Sequence, residues 1–230
     1  MAVARFKKIC IDAVDPGVLG KFWAAVLELT WEPAANGEGG IYATTRQPVL
    51  WVCRVPEHKA VKHRVHLDVY ASGTAELEAL GASVVLAEGG DRRWTVLADP
   101  EGGEFCAFRR EQPTGPRLHG LGVDSVDPPR QARWWVDLLG GEVVDHPQGY
   151  STVSGVPGLD LTLDFAPVPE PKTVKNRIHW EVMVDDVQRL IAAGARMVWP
   201  RGGDLEWDVL ADPEGNEFCA FSATPTGSAL

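Results

Sequence analysis

The sequence predicts an α+β protein built from four βαβββ modules, and the strongest evidence is an internal repeat. Residues 96–108 read VLADPEGGEFCAF and residues 209–221 read VLADPEGNEFCAF, so twelve of the thirteen positions are identical. The same offset of 113 residues aligns KHRVHLDV (62–69) with KNRIHWEV (175–182). A repeat of this length sets the architecture of the whole chain, because each copy is expected to form the same supersecondary structure.

Local signals in the second half predict one βαβββ module. Residues 118–125 are expected to form a strand, and Asp127 is a good helix N-cap in front of Pro128 at the first helical position. Apolar residues at helical spacing continue this helix to Gly140, where it ends. Three short strands separated by turn residues are then expected near 142–146, 150–154 and 159–165.

The same pattern restarts after a proline-rich connector at residues 166–176. Residues 177–184 are expected to form a strand, and Asp185 or Asp186 caps a helix that ends at Gly194. Three further strands are expected near 195–199, 206–211 and 216–221.

The first half repeats this order with a connector near residues 55–62, so the chain is predicted to form two domains. A single module is too small to bury a core, so two modules must pair. The paired strands are expected to form curved mixed sheets around a cavity. We predict a first domain over residues 1–110, a second over 116–222 and a loose tail over 223–230.

The composition indicates a globular protein that binds neither nucleic acid nor membrane. Hydrophobic residues make up 45% and charged residues 23%, which is ordinary for a soluble domain. The net charge of −10 opposes binding to a phosphate backbone. No segment predicts a membrane span or a signal peptide, so a cytoplasmic location is expected. The four cysteines form no CxxC pair and are interpreted as buried reduced thiols.

Three residues of the second half form a candidate metal-binding set. His119 lies on the first strand of one module, His179 on the first strand of the next, and Glu217 on the last strand. Two imidazoles and one carboxylate make a facial triad, which leaves metal positions open for water or substrate.

The first half carries a degenerate version of this set. His66 and Glu104 are retained at the repeat positions, but Lys7 stands where the second half has His119. An ammonium group at a ligand position opposes a metal in the first half. The retained pair also supports a competing interpretation, in which each His and Glu form a structural hydrogen bond across the sheet.

Aromatic residues of the second half are candidate walls of a ligand cavity. They are Trp180, Trp207, Phe221 and Tyr150. For the tryptophans, packing in the hydrophobic core is the competing interpretation.

These segments resemble the vicinal oxygen chelate superfamily, which includes glyoxalase I, bleomycin-resistance proteins, fosfomycin-resistance proteins and extradiol dioxygenases. The resemblance covers nearly the whole chain. Its most specific parts are VDP…FWAAVL, VDP…WWVDLL, HLDV (66–69), HWEV (179–182), DPEGGEFCAF and DPEGNEFCAF. It implies two glyoxalase-like domains in tandem.

The resemblance also implies a function for the candidate residues. The family's metal ligands correspond here to His119, His179 and Glu217, which would hold a divalent metal (Fe, Mn, Ni or Zn). Such a metal acts as a Lewis acid on a small oxygen-rich substrate, and Glu181 is the candidate general base. Lyase or isomerase chemistry is favoured over ring cleavage, because Trp207 lies where ring-cleaving relatives carry additional acid–base residues.

The alternative function is metal-free binding of a small molecule or antibiotic, as in bleomycin-resistance proteins. Under both hypotheses the partner is a small-molecule ligand. The chain is expected to be a monomer or a homodimer, because the tandem domains already supply what single-domain relatives obtain by dimerising.

Overall fold

The computed structural model describes residues 2–44, 48–112 and 115–223, and these form a mixed α+β fold. The described part of the chain contains sixteen strands and four helices, in the order of four successive βαβββ modules. The repeat therefore predicted the modular architecture correctly. Residues 224–230, most of the expected tail, lie outside the described part.

The first two modules contain the following elements in chain order: β1 (Ala4–Ala13), α1 (Pro16–Leu27), β2 (Thr30–Pro33), β3 (Gly39–Tyr42), β4 (Pro48–Arg54), β5 (Val65–Ala71), α2 (Thr74–Ala79), β6 (Ser83–Leu86), β7 (Trp94–Ala98) and β8 (Glu104–Arg109). The last two modules contain β9 (Leu118–Ser125), α3 (Pro128–Leu139), β10 (Glu142–Asp145), β11 (Ser151–Ser154), β12 (Thr162–Pro167), β13 (Ile178–Val184), α4 (Val187–Ala192), β14 (Arg196–Trp199), β15 (Asp208–Ala211) and β16 (Glu217–Ser222).

The strands form two eight-stranded mixed sheets. Their orders are β14-β15-β16-β13-β1-β4-β3-β2 and β10-β11-β12-β9-β5-β8-β7-β6. The first module thus shares a sheet with the fourth, and the second with the third. The strand pairing thus joins modules of different halves, which the repeat by itself did not predict. Modules of nearly the same sequence offer the same strand edges, so the repeat alone does not select the partner.

The chain divides into two compact units. One contains residues 9–122, and the other contains residues 1–8 together with 123–230. We call them the 9–122 unit and the 123–230 unit. Strands β1 and β9 each begin in one unit and end in the other.

In the 9–122 unit, parallel pairing of β5 with β8 aligns two polar and two aromatic residues on one face, which we call the polar face. Asp68 lies opposite Cys106, and Tyr70 lies opposite Phe108. Side chains alternate along a strand, so these four residues point to the same side. The opposite face carries Phe105, which packs edge-on against Trp23 of α1 with ring centroids 5.0 Å apart.

The 123–230 unit repeats this arrangement with β13 and β16. Glu181 lies opposite Cys219, and Met183 lies opposite Phe221. On the other face, Trp180 packs edge-on against Trp135 of α3, with ring centroids 4.7 Å apart, and is 2% exposed. Trp180 is therefore a core residue rather than a cavity wall.

The predicted helix boundaries have visible causes. The Asp127 side chain accepts a hydrogen bond from the Arg130 N–H, and Pro128 begins α3. The helix stops before Gly140, which has φ +82°, a conformation that favours glycine. Helices in the described ranges are all too short or too polar to cross a membrane.

The nearly identical DPEG segments form the same turn in both units. Asp99 accepts hydrogen bonds from the N–H groups of Glu101 and Gly103, and Asp212 accepts them from Glu214 and Asn216. Burial raises the pKa of Asp99 and of Asp212 to about 6, against the lowering effect of these hydrogen bonds. The most closely repeated segment of the chain is thus a structural turn.

Candidate functional site

A cluster of three potential metal ligands lies on the polar face of β5 and β8. One ligand atom from each of His66, Asp68 and Cys106 lies within 4.8 Å of the other two. The Nδ1 atom of His66 is 2.8 Å from Oδ1 of Asp68, the distance of an ion pair. Asp68 and Cys106 are buried, and the His66 side chain is 18% exposed.

The cluster favours a proton on His66 when no other cation is bound. Burial by itself lowers the pKa of His66. The negative charge of Asp68 and hydrogen bonds with Asp68 and Cys106 outweigh burial, so the pKa lies well above its usual range.

His119 lies on the neighbouring strand, β9, beside the same polar face. Its ring stacks on Tyr70 with centroids 4.2 Å apart and meets Phe108 edge-on at 4.8 Å. Trp94 lies beside Phe108, with centroids 5.6 Å apart. Arg110 places its guanidinium carbon 3.4 Å from the Tyr70 ring centroid. The polar cluster is thus continued by a wall of flat side chains.

Gly122 allows the His66 ring to lie directly against the backbone of β9. A Cβ atom at this glycine would lie 2.1 Å from Cε1 of His66. Such a distance is far inside van der Waals contact, so a side chain here would displace the imidazole.

The 123–230 unit holds a lysine at the corresponding place. The Nζ atom of Lys7 is 2.6 Å from Oε2 of Glu181 and 3.1 Å from the ring centroid of Phe221. Phe221 stacks on Trp207 with centroids 5.2 Å apart. Glu181 is thus held in an ion pair, which is a different environment from that expected of a general base.

Glu104 and Glu217 have the same structural partners in the two units. Glu104 accepts a hydrogen bond from Lys59 Nζ at 2.7 Å and from the His63 N–H at 2.9 Å. Burial by itself raises the pKa of Glu104. The hydrogen bonds and the positive charge of Lys59 outweigh burial, so the pKa lies below its usual range.

In the other unit, Glu217 accepts hydrogen bonds from Lys172 Nζ at 2.6 Å and from the Asn176 N–H at 3.1 Å. Each glutamate therefore fastens the connector that precedes the first strand of its module. The hydrogen bonds described for each carboxylate come from a lysine and a backbone N–H, whereas the competing interpretation expected a histidine side chain as the partner.

The structure distributes the sequence-predicted ligands over different strands of the two sheets. His119 lies on β9, next to β5, whereas His179 and Glu217 lie on β13 and β16, which neighbour each other in the other sheet. Lys7, expected beside His66, instead contacts Glu181. Because the strands pair between halves, Lys7 on β1 lies next to β13, where His119 was expected. His119 on β9 lies next to β5, where Lys7 was expected.

The four residues predicted to line one cavity lie in different surroundings. Trp207 and Phe221 lie together beside Lys7, and Trp180 lies in the core. Tyr150 stacks instead on His146 at 4.0 Å, in the turn before β11.

Asp68 and Cys106 are the residues that sequence reasoning missed. The cysteine was interpreted as a buried thiol, and it is buried, but it lies beside two other ligand types. The available signal was the two-residue spacing from His66 to Asp68 and from Glu104 to Cys106, which places each pair on one strand face.

Comparison with known proteins identifies the fold. Residues 8–108 and 120–221 each match the model of the glyoxalase-like domain. The structure resembles glyoxalase I of Zea mays with a TM-score of 0.63 and 13% identity, covering 95% of this chain and 92% of that one. It resembles the cppA protein of Streptococcus pneumoniae with a TM-score of 0.53 and 13% identity, covering 96% and 99%. No curated protein matches the sequence.

The sheets and the paired βαβββ modules define the same fold as that of glyoxalase I of Zea mays. The chain belongs to the glyoxalase-like domain family, with two copies of the domain. This agrees with the resemblance carried by the sequence motifs.

Proposed function

We propose that this protein is a divalent-metal-dependent enzyme that acts on a small oxygen-rich molecule. We assign its metal to His66, Asp68 and Cys106 of the 9–122 unit, in place of His119, His179 and Glu217. The single observation that carries the proposal is the approach of three different ligand atoms to within 4.8 Å of one another.

The chemistry of the three side chains fits a transition metal. Imidazole suits zinc and iron, and thiolate selects softer ions over magnesium, calcium or manganese. Three protein ligands leave at least one position for an oxygen of the substrate. When bound, the metal supplies Lewis acidity to that oxygen. Zinc and iron(II) are therefore the favoured ions among the four expected.

Other residues of this face have separate tasks in the proposed reaction. Tyr70, Phe108 and Trp94 offer an apolar surface for the carbon skeleton of the ligand. Arg110 adds a positive charge at the Tyr70 end, which favours an anionic substituent. His119 is our candidate for proton transfer, because an imidazole titrates near neutral pH and this one stacks on Tyr70 beside the cluster. It replaces Glu181, which Lys7 neutralises.

The test is the metal content of untagged protein purified without chelator. We compare wild type with His66→Asn and with the matched control His179→Asn, which changes the equivalent residue of the other unit. We expect one metal per chain in wild type and in the control, and loss of the metal in His66→Asn. The proposal is abandoned if folded wild type takes up no iron, zinc, nickel or manganese, or if only His179→Asn loses its metal.

Activity is tested on the metal-loaded protein. The substrate classes are α-keto compounds, epimerisable carbon acids and catechols, of which lyase or isomerase substrates are favoured. His119→Gln is expected to retain the metal and to lower kcat, by the roughly 10²–10⁴-fold typical of general acid–base catalysis. Loss of metal in this variant would instead make His119 a ligand.

Metal-free binding of a small molecule or antibiotic is the second candidate function. Two observations favour it. Glu104 and Glu217 are already neutralised by lysines, and a Trp–Phe pair lies on the polar face of each unit. Ligands that quench tryptophan fluorescence equally with and without chelator, without turnover, would support this function over the first.

The remaining parts of the proposal concern the cellular setting. We propose a cytoplasmic protein whose partner is a small molecule, present as a monomer or a homodimer. Sedimentation of the purified chain decides the oligomeric state.

A further inference from the structure

Lys7 presents a positive charge on the polar face of the 123–230 unit. Its Nζ atom lies 2.6 Å from Oε2 of Glu181, and Nζ of Lys8 lies 3.7 Å from the same oxygen. The side chain of Lys7 is 28% exposed and that of Lys8 is 17% exposed, whereas that of Glu181 is only 8% exposed. A dissolved molecule that reaches this place therefore meets the ammonium groups before it meets the carboxylate.

The ammonium group of Lys7 is able to bind a further acceptor. A lysine ammonium carries three N–H donors, and the hydrogen bond to Glu181 uses one of them. Two ammonium groups also share this single carboxylate, so the three groups together carry a positive charge. An anionic oxygen beside Lys7 is therefore attracted, whereas a cation is repelled.

Apolar side chains continue the face next to Lys7. Its Nζ atom lies 3.1 Å from the ring centroid of Phe221, a cation–π contact. Phe221 stacks on Trp207, with centroids 5.2 Å apart and ring planes 28° apart, and Met183 lies opposite Phe221 on the neighbouring strand. All three side chains are half-buried. We call Met183, Phe221 and Trp207 the apolar shelf, and it begins at the ammonium group.

The repeat distinguishes this shelf from its counterpart in the 9–122 unit. Tyr70 is the equivalent of Met183, and the guanidinium carbon of Arg110 covers the Tyr70 ring at 3.4 Å. The equivalent of Arg110 is Ala223, whose methyl group is too short to cover the shelf in this way. The 123–230 unit thus combines an accessible ammonium group with a shelf that a flat molecule can stack on.

We propose that the 123–230 unit holds a separate, metal-independent site for an aromatic carboxylate. Lys7 binds the carboxylate through a charge-assisted hydrogen bond, and the apolar shelf binds the aromatic ring. The inference goes beyond the proposed function, because it uses residues of the 123–230 unit and no metal.

The experiment is isothermal titration calorimetry of the full-length chain in the presence of EDTA, which removes bound metal. The probes are 2-naphthoate and 2-naphthamide, which share one ring system and differ in charge. We expect wild type to bind 2-naphthoate about tenfold or more tightly than 2-naphthamide, because hydrogen bonds to charged groups are the stronger ones.

Three substitutions of Lys7 test its role. Lys7→Gln is expected to lower the affinity for 2-naphthoate about tenfold, to that of 2-naphthamide, and to leave 2-naphthamide binding unchanged. Lys8 remains next to Glu181 in this variant, so the buried carboxylate keeps a cationic partner. Lys7→Met serves if Lys7→Gln does not fold. Lys7→Arg retains the charge and is expected to retain the preference for 2-naphthoate.

Substitutions of the aromatic residues locate the site. Trp207→Leu is expected to weaken the binding of both probes to the same extent, because it removes stacking and leaves the charge. The matched controls change the equivalent residues of the other unit, His119→Gln and Trp94→Leu. Both controls are expected to leave the affinity for 2-naphthoate unchanged in the presence of EDTA.

The inference is overturned if wild type binds 2-naphthoate no more tightly than 2-naphthamide, or if a folded neutral variant of Lys7 keeps the preference. It is also overturned if His119→Gln or Trp94→Leu weakens the binding and Lys7→Gln does not. Its failure is distinct from failure of the proposed function, which the metal content of wild type reports. Wild type that holds metal but shows no preference contradicts only the inference. Metal-free wild type with a Lys7-dependent preference contradicts only the proposed function.

Discussion

Ionisation of Asp99 is predicted to make the stability of this protein fall as the pH rises towards neutrality. Asp99 is 7% exposed, and burial raises the pKa of its carboxyl group from 3.8 to about 6, despite hydrogen bonds from two backbone N–H groups. A raised pKa means that the folded state binds the proton more tightly than the unfolded state. The stabilising contribution is therefore complete below pH 3.8 and is lost as the pH rises through 6.

The magnitude follows from the size of the shift. At about 1.4 kcal/mol per pKa unit, the difference between 3.8 and about 6 corresponds to about 3 kcal/mol, of which about 2 kcal/mol falls between pH 4.5 and 8. Asp99→Asn removes the titration and retains an oxygen that can accept from the Glu101 and Gly103 N–H groups. The difference in stability between variant and wild type should thus move in favour of the variant by about 2 kcal/mol over this range.

The assay is urea denaturation of both proteins at pH 4.5 and at pH 8, with the free energy of unfolding obtained by linear extrapolation. Taking the difference between the proteins at each pH cancels every other titrating group that does not interact with Asp99. A difference that is the same at both pH values would show that Asp99 is ionised equally in the folded and unfolded states, and would refute the reasoning. Asp212→Asn is a poor substitute, because both Asp212 oxygens accept hydrogen bonds, from Asn216 and Gln131 among others.

Three further predictions concern the cluster and its supports. Gly122→Ala would place a Cβ atom 2.1 Å from Cε1 of His66, and it is expected to lower metal affinity and to destabilise the fold by about 1–3 kcal/mol through overpacking. Gly73→Ala, where a Cβ meets no atom within 4 Å, is the control in the same denaturation and metal-binding assays, and equal behaviour of the two variants would contradict the packing argument. Glu104→Gln and Glu217→Gln break equivalent pairs with Lys59 and Lys172, and each is expected to cost about 1–3 kcal/mol in urea denaturation while wild-type metal content is retained. Metal loss in Glu104→Gln would instead identify that carboxylate as a ligand. Chelation is expected to lower the Tm of wild type and to leave the Tm of His66→Asn unchanged, because only a protein that binds the ion in its folded state is stabilised by it.

The sequence predicted the elements of this fold far better than their pairing. Helix α3 begins after Asp127 and ends before Gly140 as expected, because capping and backbone preference act locally. The choice between pairing within a half and pairing between halves depends on edges that the repeat makes nearly alike. That choice alone decides whether His119 lies beside β5 or beside β13.

The candidate site illustrates a second limit. Residue type and position singled out Glu217 as a candidate metal ligand and Glu104 as its counterpart in the degenerate set. Their lysine partners, Lys59 and Lys172, lie 45 residues earlier in connectors with no recognisable motif. Cys106 was predicted to be buried, and its exposure of 6% agrees. Its approach to His66 and Asp68 depends on the β5–β8 register, which sequence periodicity does not fix.

The central claim is that the 9–122 unit binds a metal through a thiolate, and cobalt(II) substitution tests it most directly. Sulfur-to-cobalt charge transfer absorbs in the near ultraviolet, so the band reports the ligand itself rather than activity. We expect this band in wild type, its loss in Cys106→Ser, and its retention in the matched control Cys219→Ser. Bound cobalt without the band, or a band that disappears only in Cys219→Ser, would contradict the assignment of Cys106.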